Sequence, residues 1–189
     1  LEGTMLNIKK ITQSFALGLF IAGAAGAAPA LANLSHHAHT LSGRDIVAYN
    51  GDAAPGSIVI HVNERRLYYV VGDGSAISYP VAVPKSGKEW SGVTSISAKQ
   101  ENPDWSPPAD VRADHPELPD VIPGGAPNNP MGTRAMLLEK GEVAIHGTTN
   151  KMRASIGSAA SYGCIRMLNE DVADLYKRVD VGATVVVEP

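Results

Sequence analysis

Cys164 and His146 are the residues of this 189-residue chain best suited to covalent chemistry. A cysteine attacks a carbonyl as its thiolate, so it needs a neighbour that takes its proton or lowers its pKa. It also needs main-chain donors for the oxyanion that the attack creates. His146 ends a run, Glu142 to Ile145, that reads as a strand, and it precedes Cys164 by 18 residues. That is chain enough to loop back and set an imidazole beside a thiol. Gly163 permits a tight turn ahead of the thiol, which would aim the Gly163 and Cys164 amides at one oxygen. A backbone carbonyl would suffice to hold the imidazole tautomer. The two residues alone leave a second reading open, a buried structural cysteine near an unrelated histidine.

Other chemistries are poorly provided for. One cysteine excludes an internal disulfide framework and a CxxC metal knuckle. The 16 basic side chains against 19 acidic ones, a net charge of -3, lack the excess that neutralises nucleic-acid phosphates. His36, His37 and His39 crowd together without a companion cysteine or acidic cluster and read as a solvated tail. His61 and His115 sit in separate segments and no HExxH helix is present, so neither metal nor cofactor is expected.

The elements that must position the thiol and imidazole follow from length and pattern. The length fits one domain. With 19 Gly, 13 Pro and few Phe or Trp, a turn-rich, mostly β domain is expected. Residues 1–32 read as an export signal, with Lys9 and Lys10, an apolar stretch over 15–28 and the small-residue site Ala30-Leu31-Ala32. Residues 1–4 precede a plausible start Met, and the apolar run, about 14 residues, is shorter than the roughly 20 that span a bilayer. The protein is therefore expected outside the cytoplasm, where an unpaired thiol is unusual and suggests reactivity. Residues 33–54 are expected to be a mobile lead-in and 55–189 the folded domain.

Strands are predicted over 58–62, 67–71, 77–83 and 93–98, the second and third joined across Gly72-Asp73-Gly74. Residues 103–130 hold 8 of the 13 prolines, so no long element runs there, and an ordered lid or cleft wall is expected. Strands over 134–138 and 142–145 then flank a turn at Lys140-Gly141. The one main helix is predicted to be capped by Asn169, with Glu170 and Asp171 at its positive end and Leu168, Val172, Leu175, Tyr176 and Val179 on one face. A last apolar strand over 183–187 is expected to be buried, giving about seven strands and one helix.

The run Ile145-His146-Gly147-Thr148, then Ser161-Tyr162-Gly163-Cys164-Ile165-Arg166-Met167 and Asn169-Glu170-Asp171, resembles the active-site signature of the L,D-transpeptidases, the YkuD-type domain. The likeness covers residues 55–187, through the first hairpin, Tyr79-Pro80-Val81, the loop Asn102-Pro103-Asp104-Trp105 and the approach Asn129-Pro130-Met131-Gly132-Thr133-Arg134. The resemblance implies a β-sandwich or barrel-like fold with one main helix near the C-terminus. It implies an enzyme, periplasmic by its signal, acting as a monomer on peptidoglycan stem peptides. Cys164 would attack the carbonyl between the third residue, a diamino acid, and the fourth, D-Ala. The thioester would pass to an amine on a second stem or on a lysine of an outer-membrane lipoprotein. By position His146 is the general base, the Gly147 carbonyl orients it, and the amides of Tyr162, Gly163 and Cys164 line the oxyanion hole. Arg166, Ser161, Met131 and Arg134 fall on the substrate side, Arg166 holding a carboxylate or bracing the site and Ser161 making a structural hydrogen bond. Most relatives carry a second His where this chain has Tyr162. An L,D-carboxypeptidase or endopeptidase on the same scaffold, and a non-catalytic wall-binding protein, are the alternatives.

Overall fold

Short alternating strands and tight turns build the first half of the domain. In the computed structural model, which describes residues 43–189, Asp73 and Gly74 take positive φ, 50° and 69°. A two-residue turn between right-twisted strands requires that backbone, and it joins β3 (Arg66–Gly72) to β4 (Ser75–Pro80). On the other side β3 pairs antiparallel with β2 (Ile58–His61), and Ile58 and Ile60 enter the core. β4 also pairs with a strand at Asp45–Ala48, here β1. This corrects the expectation of an irregular lead-in: the described part of 33–54 contributes an edge strand. The proposed export segment, 1–32, and His36, His37 and His39 lie outside the described residues.

The remaining strands are β5 (Val83–Pro84), β6 (Gly92–Glu101), β7 (Arg134–Leu138), β8 (Ala144–His146), β9 (Ala159–Ser161), β10 (Ile165–Arg166) and β11 (Thr184–Glu188). Nine strands form one sheet in the order β1-β4-β3-β2-β11-β6-β7-β8-β10, while β5 and β9 pair separately. The described strands number eleven rather than seven because several span only two or three residues, too few to show a period. β6 serves both halves of the sheet: Gly92–Ser95 pair with β11, and Ile96–Glu101 pair with β7 across an irregularity between Ile96 and Ala98. Such a bulge bends a strand and increases its twist. Both halves then bury side chains in one cluster that includes Ile60, Leu67, Tyr79, Met136, Ile145 and Val185. β11 alternates, with Val185 and Val187 buried and Val186 half-buried, so the strand expected to be buried is buried through one face.

The domain is mostly β with one main helix near the C-terminus, α2 (Asn169–Arg178) as numbered here, whose Val172 and Leu175 join the same core. Two shorter helical turns were not predicted: α1 (Ala109–Asp114) and a 3-10 turn at Asn150–Ser155. α1 lies inside the proline-rich segment, whose base is tied off by Trp105 and Ile122, each amide donating to the other's carbonyl at 2.9 and 2.8 Å. Prolines bring carbonyls without N–H groups, and buried carbonyls need donors from elsewhere. Asn129 supplies them: its Nδ2 donates to the carbonyls of Pro103, Ile122 and Pro123 at 2.9, 3.1 and 3.0 Å, and its Oδ1 accepts from the Met131 amide at 2.9 Å. Residues 103–130 are thereby an ordered wall. Among the described residues no helix is long and apolar enough to cross a membrane.

Candidate active site

β8 and β10 pair in parallel, with Ile145 opposite Ile165 and His146 opposite Arg166. Side chains alternate along a strand, and Ile145 and Ile165 are both fully buried in the core. Ala144, His146, Cys164 and Arg166 therefore share the other face. That face opens on a cavity of about 570 Å³, whose walls include His146, Cys164, Arg166, Tyr162, Met131 and Trp105. The thiol and the imidazole predicted to work together are on one surface.

The loop before Cys164 is held by its own polar groups. The Ser161 hydroxyl donates to the Cys164 carbonyl at 2.5 Å and accepts the Gly163 amide at 3.3 Å. Gly163 has φ 133°, which a side chain would strain, and its carbonyl accepts the Trp90 indole N–H at 2.8 Å. Of the three amides expected in the oxyanion hole, Gly163 is thus turned to Ser161. Those of Tyr162 and Cys164 make no hydrogen bond among the described residues. The Ser161 hydroxyl, with both bonds inside the loop, serves the loop rather than a substrate.

Burial sets the protonation of the pair. His146 is only 4% exposed, and burial, reinforced by the positive charge of Arg166, lowers its pKa from 6.5 to about 4. The carbonyls of Gly147 and Pro130 act in the opposite sense. Neither reaches Nδ1 with hydrogen-bond geometry, and that atom is buried without a partner among the described residues. The Gly147 carbonyl, expected to orient the ring, lies close enough to act on its protonation. Burial pushes the half-buried Cys164 thiol up, and the Glu142 carboxylate adds to this. A backbone hydrogen bond at Ala144 and the Arg166 charge oppose it. Sγ lies 3.8 Å from the Glu142 carbonyl, a weak thiol contact. Burial therefore favours the uncharged form of both groups, the protonated thiol and the neutral imidazole.

Arg166 is buried against the cavity, its Nη1 donating to Ser155 Oγ at 2.8 Å and its Nε without a partner among the described residues. Met131 lines the cavity as expected of a substrate-side residue. Arg134 does not: it pairs with Glu101 at 3.2 Å, donates to the Thr133 carbonyl at 2.7 Å and lies over the Tyr176 ring. Its strand points it to the helix side, away from the cleft.

Asn169 is the residue that sequence reasoning misplaced. It is the first residue of α2, not its cap; Leu168 holds the cap position and no side chain caps the helix. The Asn169 Oδ1 instead accepts the amides of Thr148 and Thr133 at 3.0 and 3.3 Å, and its Nδ2 donates to the Thr148 carbonyl at 2.8 Å. A Cβ on either Gly132 or Gly147 would collide with that Oδ1, so glycine at both positions lets the three segments meet. The amide clamps the chain two residues beyond His146. Nothing in the local pattern signals this, because its partners are 21 and 36 residues away.

The chain and its fold are similar to known proteins. A family model described as the L,D-transpeptidase catalytic domain matches residues 55–187. A probable L,D-transpeptidase YcfS of Escherichia coli is 38% identical over 144 residues, 71% of this chain and 44% of that protein. A putative L,D-transpeptidase encoded in the ATP synthase subunits region of Fuscovulum blasticum is 34% identical over 186 residues, covering 93% of this chain and 96% of its own. Among solved structures, the catalytic domain of the Enterococcus faecium L,D-transpeptidase superposes with a TM-score of 0.55 at 18% identity, over 73% of this chain and all of that one. The chain spans under half the length of the Escherichia coli relatives it matches. It belongs to the L,D-transpeptidase family, a family of enzymes.

Two predictions follow from this geometry. Asn169→Ala leaves the Thr148 and Thr133 amides without their acceptor and is expected to cost about 2 kcal/mol in chemical denaturation. Asn169→Ser, which keeps a hydroxyl acceptor, should cost less. The second concerns pH. The unfolded chain binds a proton on His146 near 6.5 and the folded chain only near about 4, so unfolding takes up a proton between those values. Stability conferred by the neutral ring is present above pH 6.5 and is lost as pH falls through 4, by roughly 3 kcal/mol in all. Urea unfolding across this window should show that loss, and His146→Gln should remove it.

Proposed function

We propose that the domain is a cysteine acyltransferase acting on peptidoglycan stem tetrapeptides. The observation that carries the reading is the shared face of β8 and β10, where Cys164, His146 and Arg166 meet one cavity beside two unoccupied amides. Because the thiol rests protonated and the imidazole neutral, the proton leaves sulfur as the sulfur–carbon bond forms, and His146 takes it. The Tyr162 and Cys164 amides receive the oxyanion. Collapse breaks the bond to D-Ala, whose amine leaves with the proton held by His146, and a thioester remains on Cys164. An acceptor amine then attacks the thioester; His146 removes its proton and returns it to the departing sulfur. The buried Arg166 guanidinium supports the sulfur anion and suits a substrate carboxylate.

The acceptor is an amine of a second stem or of a lipoprotein lysine, and the export-type segment 1–32 supports a place outside the cytoplasm. Relatives named as L,D-transpeptidases support this reaction over hydrolysis. Intact-protein mass spectrometry after incubation with a carbapenem tests it: a stoichiometric adduct on the native chain and none on Cys164→Ser is expected. With a stem tetrapeptide the native chain should release D-Ala and form a dimer. An unmodified native chain would refute acyl transfer, and a tripeptide without dimer would make the protein a carboxypeptidase.

A further inference from the structure

Helix α1 forms part of the cavity wall through Ala109, Asp110 and Val111, yet none of its six residues is buried. A helix of that length is not stable by itself in water, and with no core residue it is placed by the polar contacts it makes. Its carboxylates Asp110 and Asp114 are four residues apart and so lie on one face. Both are engaged by the loop after β5: Lys88 pairs with Asp110, and Lys85 with Asp114 at 3.5 Å. The third partner comes from the nucleophile loop. The Tyr162 hydroxyl donates to Asp114 Oδ2 at 2.6 Å, and Lys85 Nζ stands 3.6 Å from the centre of the Tyr162 ring.

We propose that Tyr162 is a positioning residue: its hydroxyl, through Asp114 and Lys85, latches α1 against the nucleophile loop and so fixes the wall along which the donor peptide binds. The identification of that donor rests on the acyl-transfer reading above. Tyr162 sits two residues before Cys164, so the same short loop carries the nucleophile, an oxyanion amide and the anchor of the facing wall. Isolated surface ion pairs contribute little. Here two half-exposed side chains, Lys85 and Tyr162, converge on the Asp114 carboxylate, and α1 has no buried residue in competition with them. The latch holds the wall in place and opens easily, as a cleft that must admit a peptide and release product requires.

The test uses Tyr162→Phe, which keeps the backbone amide and the ring, and Asp114→Ala, separately and together. Hydrogen exchange of residues 109–114 should speed up in each single variant relative to the native chain. For a stem tetrapeptide, KM should rise roughly three- to ten-fold in each with kcat unchanged. The double variant should be no worse than Asp114→Ala alone, since the one contact that Tyr162→Phe removes is already lost there. Unchanged exchange in 109–114 would overturn the latch. So would multiplied KM effects in the double variant, or a fall in kcat at constant KM, which would place Tyr162 in the chemical step. If the native chain released no D-Ala, the acyl-transfer reading would fail, and the exchange data would still decide whether Tyr162 holds α1.

Discussion

The parallel pairing of two very short strands carries the site. Ile145 faces Ile165 in the core, and that one register forces His146, Arg166 and Cys164 onto the opposite face. A slip of one residue would turn the histidine into the core and an isoleucine into the cleft, because the side-chain period of a strand is two. Strands this short do not hold register unaided. The constraint comes from both ends: the fully buried isoleucines on one side, and on the other the Asn169 amide, which ties the chain after His146 to the turn at Thr133. Gly132 and Gly147 are part of the same constraint, since only their missing side chains allow the approach.

Placing the pair in a partly dry cleft has an electrostatic consequence. Desolvation disfavours both the thiolate and the imidazolium, so the two groups rest uncharged and charge arises only during reaction. A buried guanidinium stands beside them, lowering the cost of the sulfur anion while raising that of a protonated imidazole. The arrangement favours a neutral imidazole and a protonated thiol at rest.

Much of the fold was legible where the signal is local. The strand at 134–138 is found at Arg134–Leu138, and the Asp73-Gly74 turn forms its hairpin. The thiol, the imidazole and Met131, singled out from motif and spacing, line one cavity. What escaped depends on partners distant in sequence. β1 is ordered by β4, Arg134 is drawn to Glu101 and Tyr176, and Asn169, a good cap by type, finds backbone amides across the fold instead. The proline-rich wall was foreseen as ordered, but its short helix was not, because prolines hide a single turn and the contacts that hold it come from Lys85, Lys88 and Tyr162.

The uncharged thiol–imidazole pair is tested most directly by titrating the ultraviolet thiolate absorbance of the native chain against Cys164→Ala. The account predicts no thiolate signal at neutral pH, with the signal rising only above the ordinary thiol value of 9.0. A thiolate band already present near pH 6, and abolished by His146→Gln, would show a resting ion pair and contradict it.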